Sequence, residues 1–247
     1  MKITSYKTKK VIVGDNLYKI LDQSLPLLKE RDILAISSKI ISICQGRVIK
    51  KDGRITKENL IKKEADLILP KKYIRYGVNI TITNNMLISS AGIDESNSNG
   101  YFVLWPEDPQ KAANEIRSFL RKKFGLRNLG VIISDSHSSL LRRGTLGFSL
   151  AWTGFKAIRN YIGKPDIFGK NLEVTQTNLV DALTASAVVV MGEGSEQTPL
   201  AVISETSNVE FVDKNPTDRE IKELMLTLDE DVYSAPLSQV KWIKGGK

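Results

Sequence analysis

Apolar residues recur along this chain with two spacings, and the spacings divide it into strands and helices. Ile33-Leu34-Ala35-Ile36 is an unbroken apolar run, the pattern of a strand buried on both faces, and it leads into Ser37-Ser38-Lys39. Val78, Ile80 and Ile82 alternate with other positions, Asn84-Asn85 supplies a turn, and Met86-Leu87-Ile88 resumes the run. That predicts a hairpin over 78–90. Asp15 reads as the N-cap of a helix carrying Leu17, Ile20, Leu21 and Leu25 on one face and stopping near Pro26. Asp108-Pro109 opens a second helix, with Ala112, Ala113, Ile116, Phe119 and Leu120 on its apolar face and Gly125 as its stop. Residues 131–135 predict a strand ending on a carboxylate, and 200–203 another strand. Residues 177–191 read as a small-residue helix or a helix followed by a strand, and 218–228 as a short amphipathic helix. The stretch 135–167, rich in Gly and Ser and weakly periodic, reads as irregular structure between two lobes.

Mixed strands and helices with at least one hairpin indicate an α+β fold. No repeat, low-complexity segment or linker marks a boundary, so residues 1–247 read as a single domain. The longest apolar runs, such as 185–191, are far too short to span a bilayer, and the basic MKITSYKTKK start lacks the apolar core of a signal peptide. A cytoplasmic protein without a membrane partner is expected. Cys44 is the only cysteine, which excludes an internal disulfide and a cysteine-based zinc site.

The net charge of +8 admits a nucleic-acid surface, a pocket for small polyanions, or a lysine-rich solvated exterior. The lysines come as scattered pairs, and no nucleic-acid-binding motif accompanies them, so no nucleic-acid partner is expected.

The chemistry concentrates in three oxygen-rich segments. Ser90-Ala-Gly-Ile-Asp94-Glu95-Ser96-Asn97 follows the hairpin, Ser134-Asp135-Ser136 closes a strand, and Met191-Gly192-Glu193-Gly194-Ser195-Glu196 follows the small-residue stretch. Carboxylates without a Cys/His cluster suit a hard divalent cation held partly by substrate phosphates, although the same residue types also make ordinary turns. There is no phosphate-binding P-loop, no dinucleotide fingerprint and no nucleophile elbow to partner the lone His137.

In their order and spacing these segments resemble the coenzyme F-420-0:γ-glutamyl ligases (CofE-type). Further markers are Val13-Gly14-Asp15-Asn16-Leu17, Ile36-Ser37-Ser38-Lys39-Ile40-Ile41-Ser42, Ile167-Phe168-Gly169-Lys170 and Val190-Met191-Gly192-Glu193-Gly194, so the likeness runs from about Gly14 to Ile203. It implies a two-lobed protomer in an intertwined homodimer. It also implies an enzyme joining L-glutamate to a carboxylated acceptor, with GTP as co-substrate and Mg²⁺ or Mn²⁺ as two bound ions. Asp94, Asp135, Ser136 and Glu193 inherit metal-binding roles, and Asp94, Asp135 and Lys39 the catalytic ones. Ser38, Lys39, Asn97, Met191, Gly192, Glu193, Gly194, Ser195 and Glu196 match nucleotide contacts.

Two positions depart from the family pattern. Its second nucleotide lysine is Ile43 here, and its DTFGRPWRxG run becomes Asp135-Ser136-His137-Ser138-Ser139-Leu140-Leu141-Arg142-Arg143-Gly144. His137 and Arg142 are the acceptor-binding candidates in that segment, with His137 expected to be a partly protonated imidazole. The change points toward the branch presumed to act on a folate-type acceptor rather than F-420-0. A nucleotide-binding regulatory homologue without activity, or a basic RNA-binding protein, is the alternative from a different class.

Overall fold

The computed structural model describes all residues, 1–247. In chain order it begins with β1 (Lys2–Tyr6), α1 (Leu17–Ser24), β2 (Ile33–Ser37), α2 (Ser38–Cys44), β3 (Val48–Lys50), α3 (Lys57–Glu64) and β4 (Leu67–Ile68). There follow β5 (Ile80–Thr83), β6 (Met86–Ser89), β7 (Tyr101–Val103), α4 (Pro109–Phe124), β8 (Gly130–Ser138) and β9 (Thr145–Thr153). The remainder is β10 (Ile158–Asn160), β11 (Gln176–Asn178), α5 (Leu179–Met191), β12 (Leu200–Ser204), α6 (Asp218–Leu224), α7 (Ser234–Ser238) and β13 (Ile243–Lys244).

A five-stranded sheet, ordered β1-β12-β2-β8-β9, forms the centre. Only β2 and β8 run parallel; the other pairings are antiparallel. Helices cover both faces, which is why β2 is apolar at every position but its last. On one face α1, α2 and α4 enclose a core that includes Leu34, Ile36, Val131, Ile133 and Trp105. On the other, α5 packs Val180, Leu183 and Ala187 against Ile33, Ile132, Trp152 and Ile203. Burying each such Leu or Ile gains about 2 kcal/mol, so both faces hold the sheet. A separate four-stranded sheet, β13-β4-β5-β6, and the β3–β7 pair surround a smaller core of Leu60, Ile61, Ile68, Ile93 and Phe102.

The mixed α+β architecture agrees with the pattern reading, as do β2, β12 and the β5–β6 hairpin. In its turn Asn84 and Asn85 both take left-handed φ, 51° and 58°. Helix α4 starts on the Asp108 cap with Pro109 in its first turn and stops at Gly125, φ 67°.

Four expectations need correction. Asn16, not Asp15, caps α1, accepting from the Lys19 N–H at 3.0 Å; Asp15 instead accepts from the Ile12 N–H and pairs with Lys9. Asp15 is thus one residue too early, held by a loop bond that offers a competing use for a cap-type side chain. The strand through Asp135 does not end there, because β8 continues to Ser138. The stretch 135–167 is accordingly not irregular: a long β8–β9 hairpin fills its first half, its alternation masked by Gly147 and the serines. Gly147 is required there, since a Cβ would come within 2.5 Å of Val188 as α5 crosses β9. Finally, α6 ends at Leu224 rather than near 228; of the two alternatives for 177–191, the small-residue helix holds as α5, entered directly from β11.

Candidate active site

The site gathers at the C-terminal ends of the parallel pair β2 and β8, where the backbone leaves the sheet. Strand β2 passes directly into α2, whose first residues are Ser38, buried, and Lys39. The Lys39 ammonium reaches across to the 94–97 loop. It lies 2.5 Å from Asp94 Oδ2 and donates to the Ser96 carbonyl and hydroxyl at 3.2 and 3.1 Å. Asp94 Oδ1 accepts from the Glu95 and Ser96 N–H groups, at 2.5 and 2.7 Å, and from the Ser96 hydroxyl at 2.9 Å. Burial pushes the Asp94 carboxyl up, but the Lys39 ammonium and the Ser96 donors outweigh it and hold the group below the usual range.

The turn that delivers Asp94 is bent against preference. Ser90, Ala91 and Gly92 all have left-handed φ, 53°, 53° and 71°. For the first two this costs about 1–2 kcal/mol each. Buried Thr81 offsets part of it, accepting from the Ala91 N–H at 3.0 Å while donating to the Ile88 carbonyl at 2.8 Å. Gly92 cannot carry a side chain, because its Cβ would lie 2.1 Å from the Trp105 indole. Strain of this kind persists only where surrounding structure holds it, and such places cluster at functional sites.

Trp105 links that turn to β8. Its indole N–H donates to Asp135 Oδ2, and the Ser136 N–H donates to Asp135 Oδ1 at 2.8 Å. Burial pushes the Asp135 carboxyl up to about 6 against those two hydrogen bonds, and the negative charge of Asp94 adds to the rise. Ser136, the next residue on the strand, faces the other side of the sheet. Its hydroxyl donates to Glu193 Oε1 at 2.6 Å. A bulge between Ile133 and Ser134, with Leu150 the extra residue on β9, sits just before this pair and fits the re-aiming of side chains that bulges produce.

The loop after α5 closes the site from the far side. Asn97 donates to the Gly194 carbonyl at 2.8 Å, joining the two loops that were read separately in the sequence. Glu196 folds back to accept from the Gly194 N–H at 2.8 Å, over Gly192. A side chain at Gly192 would meet the Glu196 carboxyl at 2.4 Å. Met191 is buried in the α5 core and its carbonyl accepts from the Thr198 hydroxyl at 2.6 Å, whereas Ser195 is exposed.

Lys39, Asp94, Asn97, Asp135, Ser136, Glu193 and the 191–196 loop therefore come together. Arg142 does not join them. It lies at the exposed tip of the β8–β9 hairpin, where its guanidinium donates to the Leu141 carbonyl at 3.3 Å. His137 packs edge-on against Phe148, ring centroids 4.9 Å apart. Burial pushes its imidazole below the usual value despite the charge of Asp181. His137 therefore holds a proton less readily than a free imidazole. Trp105 and Thr81 escaped the sequence reading, and Gly92 entered it only as part of the 90–97 segment. A Trp-Pro pair just after a strand was the only trace of the first, and the other two read as ordinary strand and turn residues.

The donors here are all oxygens, the set a hard cation prefers. No group of three or more Asp, Glu, His or Cys side chains converges. The chain thus offers the pair Asp94 and Asp135, the number Mg²⁺ accepts when substrate phosphates complete its shell. The raised Asp135 carboxyl beside a second carboxylate is a deficit of positive charge that a cation relieves, so the residues fit such an ion.

With that geometry in hand, comparison with known proteins is decisive. Residues 6–205 match the family described as F420-0:Gamma-glutamyl ligase. The chain belongs to this family. A relative from Methanopyrus kandleri, named coenzyme F420:L-glutamate ligase, is 32% identical over 216 residues, spanning 78% of this chain and 82% of its own. Relatives of the same name from Methanococcus maripaludis and Methanocaldococcus jannaschii are each 31% identical over 220 residues, covering 83% of this chain and 86% of theirs. The family match takes in every site residue above and stops just after β12, leaving the tail from 206 outside it. No helix is long and apolar enough to cross a membrane.

Proposed function

We propose that this chain is a cytoplasmic, GTP- and divalent-metal-dependent γ-glutamyl ligase that joins L-glutamate to a carboxylated acceptor of the F420-0 kind. The convergence of Lys39, Asp94 and Asp135 at the strand ends carries the reading, together with membership in the ligase family. A carboxylate and an amine do not condense in water, so the acceptor carboxylate must first be activated. Its oxygen attacks the terminal phosphorus of GTP, GDP leaves, and an acyl phosphate forms. The glutamate nitrogen then attacks the acyl carbon, inorganic phosphate leaves, and the nitrogen releases a proton.

In this reading Lys39 turns from Asp94 to the transferring phosphoryl group and balances charge developing there. Asp94 and Asp135 hold the metal, with Ser136 and Glu193 as ligands for a second ion. When bound, those ions neutralise the phosphate oxygens and orient the terminal phosphoryl group. Asn97 and the 191–196 loop, already tied together, form the nucleotide side of the cleft. Trp105 keeps the Asp135 carboxylate oriented and shields it from water.

A homodimer is part of the proposal. Ile167, Phe168 and Val174 are each more than four-fifths exposed beside β10 and β11, as are Leu141 on the hairpin tip and Val189 on α5 to a similar degree. Unpartnered apolar side chains of this number favour a second copy.

One observation favours a folate-type acceptor instead. Between 137 and 141 the β8–β9 hairpin presents an imidazole that protonates less readily than usual, two serines and two exposed leucines, with no arginine for the phosphodiester of the F420-0 precursor. Incubating the protein with GTP, Mg²⁺ or Mn²⁺ and each acceptor, with hydroxylamine replacing glutamate, tests the activation step. An acceptor hydroxamate formed only with GTP is expected. GDP release without hydroxamate from any acceptor would count against an acyl phosphate.

A further inference from the structure

The net charge of +8 is not used up by the strand-end site, where Lys39 faces two carboxylates. A second cluster of cations lies at the opposite end of the central sheet, where α4 ends and β8 begins. There a cavity of about 550 Å³ opens to solvent, and Leu126 is the only apolar residue among the nine lining it. Its wall holds Arg117, Arg121, Lys122 and Lys214 around a single acid, Asp213.

Three guanidinium groups compete for that one carboxylate. Arg121 lies 2.6 Å from Asp213 Oδ1, Arg127 3.4 Å from Oδ2, and Arg117 3.9 Å from Oδ1. Lys214 pairs with Glu220 at 3.5 Å. Glu30 stands nearby, accepting from the Arg127 and Asn128 N–H groups at 2.6 and 2.9 Å, so five cations stand against three acids. Arg117 is fixed in place: its guanidinium is almost fully buried and donates to the Leu129 and Val212 carbonyls at 2.8 and 2.9 Å. Arg121 is likewise held, donating to the Leu126 carbonyl at 3.2 Å. Asn215 accepts from Thr153 at 3.1 Å, which leaves its amide nitrogen free to donate. Guanidinium forks positioned in advance by backbone carbonyls are suited to bidentate recognition of phosphate oxygens.

We propose that this cavity is an anion site for a small phosphate-bearing ligand, separate from the γ-glutamyl ligase centre. Asp213 acts as the resident counter-ion, and the ligand's phosphate shares or takes over Arg121 and Arg127. Asp213, Lys214 and Asn215 lie beyond the 6–205 span that matches the family, so three of the nine lining residues belong to this chain's tail. A volume of about 550 Å³ suits a ligand of nucleotide size.

The test uses the full chain, with Lys39→Ala as background to weaken phosphate binding at the strand ends, and pyrophosphate as the probe. Pyrophosphate should shift the amide resonances of Ser118, Lys122, Leu126 and Lys214 in ¹⁵N-labelled protein. Lys214→Gln and Arg121→Gln should each weaken its binding about tenfold, the effect of losing one hydrogen bond to a charged group. Asp213→Asn should act oppositely and tighten binding, because it removes the competing anion; a purely structural ion pair does not predict that gain. Lys214 is exposed, so its variant folds even if Arg121→Gln does not. Shifts confined to the 94–97 and 191–196 loops, unchanged affinity in Lys214→Gln and Asp213→Asn, or binding of single-stranded RNA with none of pyrophosphate would each overturn the proposal.

Discussion

The two segments proposed for opposite sides of the reaction are built in opposite ways. The 90–97 turn, which carries Asp94, is over-determined: three left-handed residues in succession, braced by Thr81, closed under Trp105 and tied by Lys39 and Asn97. The hairpin tip at 139–144, which carries Arg142, is exposed, and its arginine finds only its neighbour's carbonyl. Chemistry common to a family demands fixed geometry, whereas recognition of an acceptor can be rewritten on a loop that disturbs nothing when it changes. Of the two departures from the family pattern, the run 137–143 falls where this contrast allows it, whereas Ile43 lies buried in α2; neither is in 90–97.

The sharpest way to break the contrast is to remove charge from the rigid side. Asp94→Asn and Asp135→Asn should each reduce ligation by about a hundredfold or more, since an amide is a poor ligand for a hard cation and electrostatic losses at active sites are of this size. Steady-state assays with melting curves should show lost turnover in a folded protein. Near wild-type rates would remove these residues from the centre.

Gly92→Ala should be next in severity, costing about 2 kcal/mol or more because the new Cβ is both left-handed and driven into Trp105. Urea denaturation measures it, and a neutral result would mean that the turn is less constrained than its geometry requires. Trp105→Phe keeps an aromatic ring but deletes the donor to Asp135, for a loss of about tenfold in turnover. The sign on the carboxyl is fixed. The indole N–H favours the charged form, so without it the Asp135 carboxyl of metal-free protein should titrate above its present value of about 6, as followed by ¹³C NMR.

On the loose side, Ser139→Arg with Leu141→Trp should leave stability within about 0.5 kcal/mol of wild type. It should move acceptor preference only severalfold toward F420-0, as competition between the two acceptors would show. A large loss of stability would mean that the tip is not the free segment it resembles.

What the sequence revealed follows the same division. The β2 run, the Asn84-Asn85 turn and the Asp108-Pro109 cap declare themselves because local chemistry decides them. The residues named for the centre were legible through their order along the chain, and Asp94, Lys39 and Asp135 do meet. Three things were hidden because they depend on partners distant in sequence. The Trp105–Asp135 bond joins residues thirty positions apart. Gly147 is small because α5 crosses it, and that interrupts the alternation that would have announced β9. Asp15 and Asn16 are both good caps, and only the Ile12 loop decides between them.

The account rests on ligation itself, and one measurement tests it most directly. The purified protein is incubated with isotopically labelled L-glutamate, GTP, divalent metal and either F420-0 or a reduced folate, and products are read by mass spectrometry. The account predicts an acceptor heavier by one glutamyl residue, carrying the label, with one GDP and one phosphate released per amide formed. GTP consumption without label in any acceptor, or no turnover at all with both acceptors and both metals, would contradict it.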